Sequence, residues 1–227
     1  MHGVHIPWFD IDKDALIKFK MELLRYDSVF TTNYDLLAYW ALMCDEPPGS
    51  IVDYFWSSPL VFDPLNTEVW NKATKLLFLH GGLHLCRMSN GQALKRTATP
   101  GRNLLELFGE PPAEDSRAAP LVVSEGKSED KLAAIRSSEY LSFALAQFDR
   151  TDVPLVVFGH SLSHQDQHLV DVLRTRHAPI AISMRQAPPD DMRAKKAAYR
   201  NRLHNQHLLF FDAATHPLGD PALRCSG

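Results

Sequence analysis

Six short apolar runs punctuate the chain: Val29–Thr31, Leu76–Leu79, Leu121–Val123, Leu155–Phe158, Ile180–Ile182 and Leu208–Phe211. Most are continuously apolar rather than alternating, as expected of strands covered on both faces. Helical spacing appears between them. Residues 128–148 carry Leu132, Ile135, Leu141, Leu145 and Phe148 at three- or four-residue steps or their multiples, and Ser128 is placed as a cap. A second helix is predicted from Ser163, through Leu169, Val172 and Leu173. A third is predicted over residues 190–205, rich in Ala, Lys and Arg, with a narrow stripe of Met192, Tyr199 and Leu203. Strand alternating with helix implies parallel crossovers. The expected fold is α/β: a doubly wound, mostly parallel, Rossmann-like sheet.

The rhythm is regular from residue 120 onward and broken before it. Residues 45–75 and 87–120 contain the breaker-rich stretches DEPPGS, SSPLVFDPLN, TATPGRN and GEPPAEDSRAAP. One domain over 1–227 is expected, with 87–120 as an irregular, partly mobile insertion. The tail after Asp212 is expected to be an extended cover or a frayed end.

Composition narrows the function classes. Apolar residues make up 45% of the 227, enough for a proper core. A net charge of -3, from 24 basic and 27 acidic residues, gives no bias toward nucleic acid or a membrane surface. No apolar run approaches the roughly 18 to 20 residues that cross a bilayer. The opening MHGVHIPWFDIDKD lacks the basic start and apolar stretch of a signal peptide, so a cytoplasmic protein is expected. Cys44, Cys86 and Cys225 are widely spaced, without a C-x-x-C pair, which argues for thiols and against a cysteine-built zinc site.

Candidate chemistry sits where apolar runs end. In open α/β sheets ligands bind beyond the carboxyl ends of the strands. The run at Val29 exits through Thr31, Thr32, Asn33 and Asp35. The run at Leu76 exits through His80, Gly81 and Gly82, and that at Leu155 through Gly159, His160 and Ser161. Taken singly, Asn33 and Asp35 read as a strand-to-helix turn, His80 as a partner of local backbone, and GHS as a weak anion-binding turn. Taken together they read as one site. A fourth exit, with Glu125, Gly126 and Lys127, fits a phosphate or ribose contact or a solvated turn. His160, His164 and His168 are four apart, but Gly159 and Ser163 place His160 in a turn before the helix. His80 and His84 flank a Gly–Gly pair, and there is no H-E-x-x-H, so no metal is expected. G-x-S-x-G, G-x-G-x-x-G and G-x-x-x-x-G-K are all absent.

TTNYD (31–35), LHG (79–81) and GHSL (159–162), in this order, resemble the Asn-x-Asp turn, His-Gly pair and Gly-x-Ser turn of sirtuin-like NAD-binding domains. The longer stretches NYDLLAYWA, LHGGLHL, VSEGKSEDKLAAIRSSEYL and GHSLSHQD look closer to a bacterial sirtuin-like family, related in fold to NAD-hydrolysing domains of phage-defence systems. The likeness covers residues 27–185. It implies NAD, or an ADP-ribose-like molecule, as ligand or substrate, and hydrolysis of NAD to nicotinamide and ADP-ribose. Asn33 would hold the nicotinamide ribose or the attacking water, and His80 would act as base on the ribose hydroxyls. Thr31, Thr32, Asp35, Gly81, Gly159 and Ser161 would contact the cofactor. The family's zinc module is missing, as is its Gly-rich pyrophosphate turn ahead of the first strand, so the domain is expected to be N-terminally incomplete. A non-catalytic nucleotide-sensing or protein-interaction module of the same fold is the alternative, and self-association stays open.

Overall fold

In a computed structural model, the described residues are 11–44, 51–66, 73–97, 104, 106–123, 126–204 and 207–223. They contain six α-helices and nine strands. The chain divides into two compact units. The first draws on Met1–Ser124 and Ala133–Leu145, the second on Glu125–Leu132 and Ala146–Arg224.

The first unit holds two small sheets. Strand β1 (Ser28–Thr31) lies parallel to β3 (Thr74–Phe78), and β3 is parallel to β2 (Ile51–Val52), giving the order β1-β3-β2. Leu76, Leu77 and Phe78 are fully buried, which is why this run could stay apolar without alternating. Strand β2 pairs only with Thr74 and Lys75. Beyond it, among the described residues, the Phe78 N–H has no strand partner on that side, and it donates instead to the Tyr140 hydroxyl at 2.9 Å. Burial pushes that phenol's pKa up, so it stays protonated.

Helix α1 (Lys13–Leu23) is capped by Asp12, whose carboxylate accepts from the Asp14 N–H. Its Lys20 is buried and donates to the Cys44 carbonyl. Helix α2 (Leu37–Met43) is apolar nearly all round and buries Ala38 through Leu42. The aromatic core of the unit joins Phe55, Phe62 and Tyr140, with ring centroids 4.9 to 5.9 Å apart.

The second sheet is antiparallel, in the order β5-β4-β6: β4 (Gly81–Arg87) between β5 (Ala93–Lys95) and β6 (Ala119–Val122). Part of the stretch expected to be irregular is therefore sheet. SSPLVF also runs alongside β5, through Phe62 N–H to Ala93 and Lys95 N–H to Leu60. The last two-thirds of GEPPAEDSRAAP is organised by Asp115, which accepts from the backbone N–H groups of Ser89 and Arg117. DEPPGS and most of TATPGRN lie outside the described residues.

Gly81 stands at φ +73°, and a β-carbon there would come 2.0 Å from the Leu121 carbonyl oxygen across the β4–β6 pair. Gly81→Ala is expected to cost well over about 1 kcal/mol, from the positive φ alone and then from the clash. Urea unfolding checks it, and a loss below about 0.5 kcal/mol would refute the reading.

The second unit is an α/β layer: parallel strands β7 (Leu155–Val157), β8 (Ile180–Met184) and β9 (Leu208–Asp212), in that order. Helix α5 (Gln167–Arg174) connects β7 to β8 and α6 (Pro189–Leu203) connects β8 to β9, the crossovers predicted from the sequence. The stretch 128–148 is two helices, α3 (Ser128–Arg136) and α4 (Glu139–Arg150). They part at Ser137–Ser138, where Ser137 folds its hydroxyl back to Ala134 and the Ser138 hydroxyl accepts from the Leu141 N–H. After Asp212 the chain makes three 3-10 turns between Ala213 and Leu223, the first capped by Asp212 itself. Mixed α/β architecture with parallel strands is what the apolar runs imply; the antiparallel sheet β5-β4-β6 is an addition to it.

Candidate functional site

In the first unit, Thr31 and Phe78 are register partners and the last residues of β1 and β3. Asn33 and His80 therefore each lie two residues past the carboxyl end of adjacent parallel strands. The two exit segments are tied together: Leu79 N–H donates to Thr31 O at 2.8 Å, and Leu83 N–H to Tyr34 O at 2.9 Å. The Thr31 hydroxyl accepts from the Asn33 N–H at 3.1 Å, and Asp35 accepts from the Leu37 N–H at 3.0 Å as the chain enters α2. Asp35 thus has the turn-forming role, while the Asn33 side chain stands in solvent. Thr31, Thr32 and Asp35 are half-buried beside it. His80 is only 4% exposed, and its carbonyl accepts from Val123 N–H. Gly81 and Gly82 keep the backbone close to β6 and to the His84 ring respectively.

The second unit places Gly159 and Ser161 in the turn after β7. Gly159 (φ +68°) and Leu162 (φ +49°) both adopt the left-handed region. A buried leucine there is a strained residue that its surroundings must hold. They do so through main-chain atoms. The Ser183 hydroxyl, at the end of β8, accepts from Gly159 N–H at 3.0 Å. Tyr199 donates to Ser161 O, and Arg202 to Leu162 O. The Gly159 N–H is therefore committed to Ser183.

Beyond the turn lies a polar cluster that no strand-end argument exposed. Lys131 of α3 donates to Asp166 Oδ1 at 2.9 Å, and Ser163 Oγ donates to Asp166 Oδ2 at 3.3 Å. Leu162 N–H donates to His160 Nδ1, so the neutral ring carries its proton on Nε2, which lies 3.7 Å from Asp166 Oδ2. The Ser128 hydroxyl accepts from the His168 backbone N–H at 3.0 Å and shares a hydrogen bond with His168 Nδ1, 3.1 Å away. Burial lowers the pKa of both imidazoles, opposed by Asp166 and reinforced by Lys131. Burial therefore favours the neutral form of both rings. His160 lies in the turn before the helix, as Gly159 and Ser163 implied, and His164 opens a 3-10 turn that leads into α5. Of the fourth exit, Glu125 lies outside the described residues.

The chain belongs to a family described as a domain of unknown function, DUF4917, whose model matches residues 1–218. No curated protein matches it at a significant level. Among the described residues no helix is long and apolar enough to cross a membrane.

Proposed function

We propose that this DUF4917 member binds NAD, or an ADP-ribose-type nucleotide, at the carboxyl ends of β1 and β3, and hydrolyses NAD to nicotinamide and ADP-ribose. The observation that carries the reading is the pairing of Thr31 with Phe78, which sets an amide and an imidazole two residues beyond neighbouring strand ends. The resemblance to sirtuin-like domains and the doubly wound topology it implies belong to the same proposal. The reaction breaks the bond between C1′ and the nicotinamide nitrogen. The bond electrons leave with nicotinamide, the ribose passes through an oxocarbenium-like state, and water supplies the new C1′–O bond. Its proton goes to His80. Such chemistry asks for positioning and a proton acceptor. The exposed Asn33 amide can hold a ribose hydroxyl and orient the water.

The burial of His80 favours a second reading, nucleotide binding without turnover, because a sealed imidazole exchanges its proton with a substrate only when the surface opens. One assay separates the two. Wild-type protein incubated with NAD is expected to release nicotinamide, and Asn33→Ala to release it at least about 100-fold more slowly with unchanged melting, as when one positioned donor is lost. ADP-ribose binding without nicotinamide release would replace hydrolysis by sensing. Neither binding nor release would end the proposal.

A further inference from the structure

We propose that Arg87 and Arg117 form a second binding site, for a phosphorylated small molecule, independent of the strand-end reading. The two residues line a cavity of about 300 Å³ in the first unit, together with Ser89, Gly91 and Ser137. Arg87 ends β4, whose other end is Gly81, six residues away or roughly 20 Å at the usual strand rise. The cavity is therefore remote from Asn33 and His80. The β4–β6 register pairs Arg87 with Ala119, which brings Arg117, two residues upstream on the neighbouring segment, to the same end of the sheet.

Both guanidinium groups are held by serine oxygens. Arg87 donates to Ser137 Oγ at 3.2 Å, and Arg117 to Ser89 Oγ at 3.1 Å. The Ser137 proton is committed to the Ala134 carbonyl, so this hydroxyl can only accept from the arginine. Asp115 is held low, to a pKa of about 2, first by its hydrogen bonds to Ser89, then by the Arg117 backbone N–H and, least, by the Arg117 charge. It braces the loop and does not line the cavity. No acidic side chain lines it, and Arg87 forms no ion pair with a carboxylate among the described residues. Each guanidinium offers five N–H donors and spends one on its serine, so most of both forks is left for a ligand. Two positioned forks suit the several oxygens of a phosphate group better than a single carboxylate does. Gly91, at φ +88°, has nothing within 4 Å of a would-be β-carbon, leaving the rim open. The volume is at the small end of ligand pockets, the size of a sugar phosphate rather than a dinucleotide.

Calorimetric titration of the full chain with ribose 5-phosphate and with inorganic phosphate tests this, with uncharged ribose as control. Both anions are expected to bind one-to-one at millimolar concentration or better, more weakly as salt rises, and ribose not at all. Arg87→Ala with Arg117→Ala should weaken binding at least about tenfold at unchanged melting temperature, and Asn33→Ala should leave it intact. The Arg87→Lys and Arg117→Lys pair keeps the charge but loses the fork, so it should bind more weakly than wild type even if the alanine pair is unstable. No binding at about 10 mM, or equal affinity in the lysine pair and wild type, overturns the proposal.

Discussion

Moving the protein from about pH 7 to about pH 4 is expected to remove about 3 kcal/mol of stability through His84 alone. The ring is fully buried, between Tyr39 at 4.7 Å and Phe78 at 4.6 Å, and neither nitrogen has a hydrogen-bond partner among the described residues. Burial first, and then the charge of Lys95, lowers its pKa from 6.5 to about 3. The sign follows. Between those two values the unfolded chain carries a proton on this histidine and the folded chain does not. Stability from this group is therefore complete above the unfolded pKa, and it falls by about 1.4 kcal/mol per pH unit as pH drops toward the folded one. His160 and His168, also lowered by burial, act with the same sign. Urea unfolding across this range measures the slope. His84→Leu should flatten it by about one proton and raise stability near neutral pH by about 1 kcal/mol, since two unpaired polar atoms leave the core. An unchanged slope in the variant would show that His84 is solvated or partnered.

The second large effect is expected at Asp53 and Lys95. Their side chains are 0% and 2% exposed, and Lys95 Nζ bonds both carboxylate oxygens, at 3.2 and 2.9 Å. The Asp53 carboxylate also accepts from the Phe55 N–H, and Lys95 lies 4.7 Å from the centroid of the Trp56 ring. Such a pair contributes little net stability over an apolar replacement, but removing one partner strands the other charge in the core. Lys95→Met should cost about 3 to 5 kcal/mol. Adding Asp53→Leu should recover most of that, because no charge then remains buried. A loss below about 1 kcal/mol in the single variant would mean that water reaches Asp53.

Several of these features explain what could be seen from the sequence and what could not. All six apolar runs became strands, a local signature that did not need full burial: β3 is buried, while β1 is half-buried and β7 and β9 leave Val156 and Leu209 exposed. Strand β4 begins with two glycines and carries a histidine and an arginine, so its strand character comes from its pairing with β5 and β6, not from propensity. Helix α1 hid its packed face behind Lys20 and Glu22, both buried and both bonded. The break at Ser137–Ser138 was missed because apolar spacing continues across it, while serine hydroxyls stop the backbone ladder.

The site divides in the same way. That Asn33 and His80 flank adjacent strand ends was legible, since parallel strands align their carboxyl ends. The bonds from Ser128 to His168 and from Lys131 to Asp166 span 40 and 35 residues and carry no local pattern. Ser183 offered only a hydroxyl at a strand end, and its hold on Gly159 needed the β7–β8 register to be seen.

Amide NMR of labelled protein titrated with ADP-ribose probes the central claim most directly. The account expects the largest shifts at the Asn33 side-chain amide and along residues 31–35 and 79–83, with saturation. Shifts confined to the neighbourhood of Arg87 and Arg117, or none at all, would contradict it.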